Sequence, residues 1–281
     1  MTPVAPTSAG TASPLDRRAP IVWLALSLGV TLVAFVIAAA RGWPGTPIDC
    51  REVTCYCEAP HAGWLRQPAN TISNLVPIAL AVVAALRRPR ATTPAGAAFE
   101  RALPVALGVQ GMGSAFYHSS LVEWARNLDS ISMLVVMALF VSTNRLRHRG
   151  TFATERAGVT LVVVWLAIAA LGVVLALVRS EAVSPVMFAL LITNLGLEVG
   201  VTRRFGPPAD ERCLRFGLLI FLASIGVWSF SAAPGQLLCA PRSLAQGHAL
   251  WHAGAGVAVF CFGRHVSRAL APRARGFAGP P

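Results

Sequence analysis

A serine, a histidine and an aspartate interrupt one apolar stretch of the chain, at Ser114, His118 and Asp129. A second pair, His248 and His252, lies in another apolar stretch that reads GHALWH. Residues four apart share one face of an α-helix, so Ser114 can meet His118 and His248 can meet His252. Ionisable groups buried in apolar helices are costly and therefore indicate function.

Two histidines at positions i and i+4 can bind one metal ion, as in the HExxH helix of zinc proteases. The glutamate of that motif is absent here, so the pair alone is a weak signal. His118 supplies a third imidazole, and three neutral imidazoles leave one tetrahedral position open for water, as in catalytic zinc sites. We therefore expect His118, His248 and His252 to bind Zn²⁺, with Ser114 and Asp129 beside the ion.

The composition is that of a membrane protein. Hydrophobic side chains make up 55 % of the 281 residues, which is high for a soluble domain. All 24 lysine and arginine positions are arginine, against 12 acidic residues. A soluble chain this basic would suggest nucleic acid, but these arginines lie in short clusters between apolar runs. They orient helices in a bilayer, and no nucleic-acid partner is expected.

Eight apolar runs have about the length that crosses a bilayer. Most arginines fall at the two termini and in the second, fourth and sixth loops, so both termini are predicted to be cytoplasmic. This topology places the three histidines and Asp129 at one depth, near the external face. For the first run, cleavage as a signal peptide remains an alternative. The runs cover residues 21–40, 71–86, 102–121, 128–143, 158–178, 183–199, 214–232 and 245–263.

Four cysteines, Cys50, Cys55, Cys57 and Cys239, lie in the predicted external loops. We expect at least one disulfide among them, because an oxidising compartment favours bridges. The sequence does not fix the pairing. Unpaired thiols or a metal site are the alternative.

Four other polar positions are assigned structural roles. Asn70 or Thr71 is predicted to cap the second helix, and Asn74 to contact a neighbouring helix. Glu198 is predicted to pair with a nearby arginine, Arg203 or Arg204.

The pattern GxGSxxxH, the later dipeptide Leu128 and Asp129, and the final HxxWH resemble the alkaline ceramidase family. That family belongs to a superfamily of seven-helix membrane hydrolases that also holds adiponectin-type receptors and GPI-remodelling lipases. The likeness runs from about Tyr56 to Phe262.

The resemblance implies that His118, His248 and His252 are zinc ligands, and that Ser114 and Asp129 are polar partners at the metal. Asp129 would act as general acid-base, and Ser114 would orient water or the oxyanion.

Eukaryotic members of the family also bind calcium, in a segment that matches this chain at Glu58 and Asn70. Gln67 replaces the expected glutamate, Ala69 replaces a tryptophan, and Cys55 stands near an expected aspartate. These departures make calcium binding doubtful.

The expected fold is an all-α polytopic membrane bundle, with a seven-helix hydrolase core and one extra N-terminal transmembrane helix. The predicted parts are a disordered cytoplasmic tail (1–20), the extra helix (21–40), an external cysteine-rich loop (41–70), the catalytic core (71–265) and a disordered C-terminal tail (266–281).

The expected function is zinc-dependent hydrolysis of an amide bond in ceramide or a related N-acyl lipid that enters from the bilayer. The expected location is a bacterial inner membrane. The alternatives are a membrane lipid esterase and a receptor or transporter with a buried polar centre. The histidines could also be packing residues that hydrogen-bond between helices.

Overall fold

A computed structural model describes residues 14–50, 55–87, 92–179, 182–206 and 211–270. Most of the predicted N-terminal tail and residues 271–281 of the predicted C-terminal tail lie outside the described residues. Several of the arginines that set the predicted orientation lie outside them too: Arg51, Arg88, Arg90, Arg273 and Arg275.

The described part of the chain is helical, which confirms the all-α class. Its one β-type contact is an isolated bridge between Pro47 and Val122. The helices begin and end at α1 Pro14–Ala40, α2 Pro68–Ser73, α3 Leu75–Leu86, α4 Pro94–Ser120, α5 Glu123–Arg149, α6 Ala157–Val178, α7 Val183–Phe205, α8 Glu211–Ser229 and α9 Gly247–Ala269.

Six segments of the described chain are long and apolar enough to cross a membrane: α1, the α2–α3 pair, α5, α6, α7 and α8. The sequence also predicts spans at α4 and α9, which have 27 and 23 residues. These two helices carry many glycines and the polar side chains of the histidine cluster, which lower their mean hydropathy. α4 is also the most buried of the described helices, because it packs against α1, α2, α3, α5, α6 and α9.

Two glycines, Gly111 and Gly113, allow neighbouring helices to approach α4 closely. A Cβ on Gly111 would lie 2.6 Å from Ile78 of α3, and one on Gly113 would lie 2.8 Å from Ser132 of α5. Both distances are much shorter than a normal van der Waals contact, so a side chain at either position would clash. The glycines therefore bring the polar face of α4 against two helices that flank the site.

The second predicted span is broken into α2 and α3 at Asn74, where the sequence predicts one helix. Pro77 has no N–H to donate to the Ser73 carbonyl, which interrupts the helical ladder. The Asn74 side chain instead donates to the Asn70 carbonyl at 2.8 Å. This break holds the Asn70 carbonyl towards the interior of the bundle.

The start of α2 also differs from expectation, because the helix begins at Pro68 and not at Asn70 or Thr71. The carboxylate of Glu58 caps it from the preceding loop, accepting hydrogen bonds from the Ala69 and Asn70 N–H groups at 2.8 Å each. Glu58 is 2 % exposed. A carboxylate at a helix N-terminus accepts hydrogen bonds from the otherwise unpaired N–H groups of the first turn, and its negative charge interacts favourably with the helix dipole.

Two disulfides confirm the expected bridging and fix its pairing. Cys50 bonds to Cys55, and Cys57 bonds to Cys239. The second bridge ties the loop before α2 to the loop before α9. We call this side of the bundle the disulfide end.

The opposite end of the core holds a buried ionic cluster that corrects one prediction. Glu198 pairs with Arg147 at 2.6 Å and with His265 at 2.8 Å, not with Arg203 or Arg204. Glu198 faces α5 and α9, whereas Arg204 lies at the end of α7 and donates to the His148 carbonyl. The cluster joins three helices at the end of the core away from the disulfides.

Candidate metal centre

Three histidines from two distant helices converge in the interior, near the disulfide end. His118 lies in the last turn of α4, and His248 and His252 lie in the first two turns of α9. The potential ligand nitrogens lie within 4.8 Å of one another. The three residues are 0 %, 3 % and 8 % exposed, so the group is shielded from solvent.

The distance between two of these nitrogens fits a shared ion. Nε2 of His118 lies 3.3 Å from Nε2 of His248. Two nitrogens bound to one tetrahedral zinc ion at about 2.0–2.1 Å are roughly 3.4 Å apart. The imidazole nitrogens and the distance between them therefore match those of a zinc site.

Gln67 fixes the ring of His118. The Gln67 Nε2 group donates to the carbonyls of Cys55 and Glu58, at 2.5 and 2.8 Å. Because both partners are acceptors, the other end of the amide must be Oε1, and it lies 2.6 Å from His118 Nδ1. An amide oxygen only accepts hydrogen bonds, so His118 carries its proton on Nδ1 and turns the lone pair of Nε2 towards the cluster.

His252 is oriented in the same way by the break between α2 and α3. Its Nδ1 lies 3.1 Å from the Asn70 carbonyl and 2.9 Å from Ser73 Oγ. The Ser73 hydroxyl donates to that same carbonyl at 2.7 Å. The Nδ1 proton of His252 therefore points to these acceptors, and its Nε2 faces the other histidines. Hydrogen bonds of this type hold metal-binding imidazoles in place.

His248 is held by ring stacking. The Tyr56 ring lies over it with centroids 3.5 Å apart and an angle of 14°. Tyr56 precedes the bridged Cys57, so the disulfide holds it there. Burial raises the pKa of the Tyr56 phenol, which stays neutral. Nδ1 of His248 is buried and has no hydrogen-bond partner among the described residues.

Ser114 and Asp129 lie beside the histidines. Ser114 Oγ is 3.4 Å from His252 Nε2, and the Ser114 hydroxyl donates to the Asp129 carboxylate. Ser114 is 4 % exposed and Asp129 is 7 % exposed. The structure thus brings together all five residues that the sequence predicts for the site.

A cavity of about 730 Å³ leads to the centre. At the disulfide end its wall includes Tyr56, Arg126, Asp129 and His248. Further along, apolar side chains from α7, α8 and α9 line it: Met187, Phe188, Leu191, Phe221, Ile225 and Val259. The cavity has the size of a small-molecule site, with its polar groups gathered at one end.

The family model described as Ceramidase matches residues 61–271. This chain belongs to the ceramidase family. The match spans the three histidines, Ser114 and Asp129, and it begins after Tyr56 and Cys57. No curated protein matches the chain. The family implies amide hydrolase activity, and the six apolar helices indicate an integral membrane protein.

The segment before α2 does not fit the calcium ion that the ceramidase resemblance suggests. Both Glu58 carboxylate oxygens are engaged by backbone N–H groups. The amide nitrogen of Gln67 points its protons at the Cys55 and Glu58 carbonyls. Calcium requires oxygen ligands that turn lone pairs towards it, and here the Gln67 amide turns N–H protons into the segment where the resemblance would place a carboxylate.

The groups that orient the histidines in this ceramidase-family site were not predicted from the sequence: Tyr56, Gln67, Ser73 and the Asn70 carbonyl. Asn74, expected only to pack between helices, lies with its Nδ2 3.3 Å from His252 Nδ1. The usable signals were Pro77, which predicts a broken helix, and Gln67, which departs from the family pattern.

Proposed function

We propose that this ceramidase-family chain is a zinc-dependent hydrolase that cleaves the amide bond of ceramide or a related N-acyl lipid, giving a free fatty acid and a sphingoid base. The observation that carries the proposal is the approach of three buried imidazoles, two of them held with Nε2 facing inwards. Neutral imidazoles in this number favour zinc over the harder cations.

The residues that would hold zinc are His118, His248 and His252. When bound, the ion would polarise the amide carbonyl and lower the pKa of its water towards about 7. Gln67 and the Asn70 carbonyl keep two of the imidazoles in the required tautomer, so no proton has to leave these rings when metal binds.

Asp129 is the proposed general acid-base. Its carboxylate takes a proton from the attacking water as the new carbon–oxygen bond forms, and returns a proton to the amide nitrogen as the carbon–nitrogen bond breaks. The Ser114 hydroxyl, which hydrogen-bonds to Asp129, would orient the water or donate to the developing oxyanion.

A lipid substrate would lie with its amide at the polar end of the cavity and its chains along the apolar wall. Met187, Phe188 and Phe221 supply part of that wall. Arg126, one turn before Asp129 on α5, would then lie beside the head group.

We also propose that the disulfide end faces outwards across a bacterial inner membrane, with both termini cytoplasmic. The proposal is supported by the arginine distribution and by the two disulfides at the same end as the histidine cluster, since bridges form in oxidising compartments. A reporter fused after residue 281 that is active only in the cytoplasm tests it: activity supports the orientation, and silence of a stably expressed fusion contradicts it.

The experiment that tests the function compares hydrolysis of ceramide with that of an ester analogue by purified protein in detergent. We expect the wild type to release fatty acid from ceramide and His252→Ala to release none above background. Turnover of esters alone would support a lipid esterase. Absence of turnover together with specific lipid binding would support a receptor or transporter.

A further inference from the structure

Gln110 lies on the cavity wall one helical turn from Ser114. The two residues are four apart on α4 and therefore share a face, about 6 Å apart along the helix axis. Gln110 lines the same cavity as Asp129, Tyr56 and His248. Its side chain is thus within reach of a group bound at the histidine cluster.

The Oε1 atom of Gln110 is buried and accepts no hydrogen bond from the described residues. A buried carboxamide oxygen is almost always paired in a folded protein, because leaving it unpaired is costly. Gln110 is only partly buried and lines the cavity, so a turn of its carboxamide would bring Oε1 to a donor that arrives with the ligand.

We propose that Gln110 recognises the N–H group of the scissile amide and so selects secondary amides over esters. The inference rests on the proposed function and specifies its substrate class. An N-acyl lipid carries an N–H donor beside the carbonyl that Ser114 and the histidines would face, whereas an ester has only a second acceptor there. With an ester bound, Gln110 Oε1 stays unpaired and faces another oxygen.

The hydrogen bond would also assist the reaction geometry. With the N–H bond directed to Gln110, the nitrogen lone pair turns away from Gln110 and is open to the proton that Asp129 delivers. Sites built to hydrogen-bond a polar group discriminate strongly against analogues that lack it, because their own buried group is left unpaired. Gln110 is therefore a specificity-determining residue.

The test uses two substrates that differ at one atom: ceramide and the analogue in which an ester oxygen replaces the amide nitrogen, with the same chains and remaining hydroxyls. Gln110→Met keeps the length of the side chain and removes its acceptor. We expect kcat/KM for ceramide to fall about tenfold or more, while kcat/KM for the ester changes by less than about threefold. Bound zinc and thermal stability serve as folding controls.

A parallel loss on both substrates would overturn the inference, because it would assign Gln110 to a shared hydroxyl or to the fold. No loss on either substrate would overturn it as well. If Gln110→Met fails the folding controls, the wild type decides by itself: N-methylation of ceramide must lower kcat/KM about tenfold or more, and equal turnover would overturn the inference. Absence of turnover on every substrate would overturn the proposed function and this inference with it.

Discussion

Nδ1 of His118 lies 2.6 Å from Oε1 of Gln67, and the same amide holds the Cys55 and Glu58 carbonyls with its nitrogen. One side chain therefore links the disulfide-bridged loop to a proposed metal ligand. Partners that fix the tautomer of a ligating histidine typically contribute 10–100-fold to metal affinity.

Replacing Gln67 by leucine should weaken zinc binding by roughly 10–100-fold, because the His118 ring loses the acceptor that fixes its proton on Nδ1. Competition with a chelator of known affinity measures the change. Arg66→Ala is the matched control, since the exposed Arg66 side chain bonds the His61 carbonyl and should leave the affinity nearly unaltered. Equal affinity in Gln67→Leu and the wild type would refute this positioning role.

The Cys57–Cys239 bridge should matter more for stability than the Cys50–Cys55 bridge. The first joins residues 182 apart in sequence and the second joins residues 5 apart, and longer closed loops cost the unfolded chain more entropy. Replacing Cys57 and Cys239 by alanine should lower the free energy of unfolding by about 2–4 kcal/mol. Thermal unfolding in detergent measures it.

The variant with alanine at both Cys57 and Cys239 should also lose zinc more readily than the wild type, because Tyr56 would no longer be held over His248. The variant with alanine at both Cys50 and Cys55 is the control. If the control lost zinc more readily than the variant that lacks Cys57 and Cys239, the prediction would be contradicted.

The histidine cluster could be predicted from the sequence because helical spacing determines which of its residues share a face. His248 and His252 share a face whatever surrounds them, and the reversal between α4 and α5 brings Asp129 back to Ser114. The arrangement of Gln67 could not be predicted, because it depends on a loop shaped by two disulfides whose pairing the sequence leaves open.

The helix break and the ionic cluster show the same limit. Pro77 indicates a break, but which carbonyl it leaves for His252 depends on how α2 docks against α9. The sequence places Glu198 near two arginines of its own helix, and only packing shows that it faces Arg147 and His265 instead.

Asp129→Asn should lower kcat for ceramide by roughly 10²–10⁴-fold with zinc retained, because the asparagine side chain cannot accept and return the proton. Ser114→Ala should cost less, roughly 10²–10³-fold, since it removes one hydrogen-bond donor. Steady-state kinetics with metal analysis measures both. A covalent acyl group on Ser114, seen as added mass after rapid quenching, would contradict the assigned roles.

Arg147→Met should destabilise the protein by about 3–5 kcal/mol, because it leaves the carboxylate of Glu198, whose side chain is only 15 % exposed, without its arginine. Replacing both residues, Arg147→Met with Glu198→Leu, should recover much of the loss, since no unpaired charge then remains. Unfolding in denaturing detergent measures the three proteins. A double variant less stable than Arg147→Met would show that the pair is not coupled in this way.

Zinc stoichiometry tests the central claim most directly: His118, His248 and His252 bind one ion on which amide hydrolysis depends. Elemental analysis of purified wild type should give one zinc per chain, each His→Ala variant should lose it, and Asp129→Asn should keep it. Removing zinc should abolish ceramide hydrolysis, and adding zinc should restore it. Wild-type protein that hydrolyses ceramide at full rate with no bound metal would contradict the account.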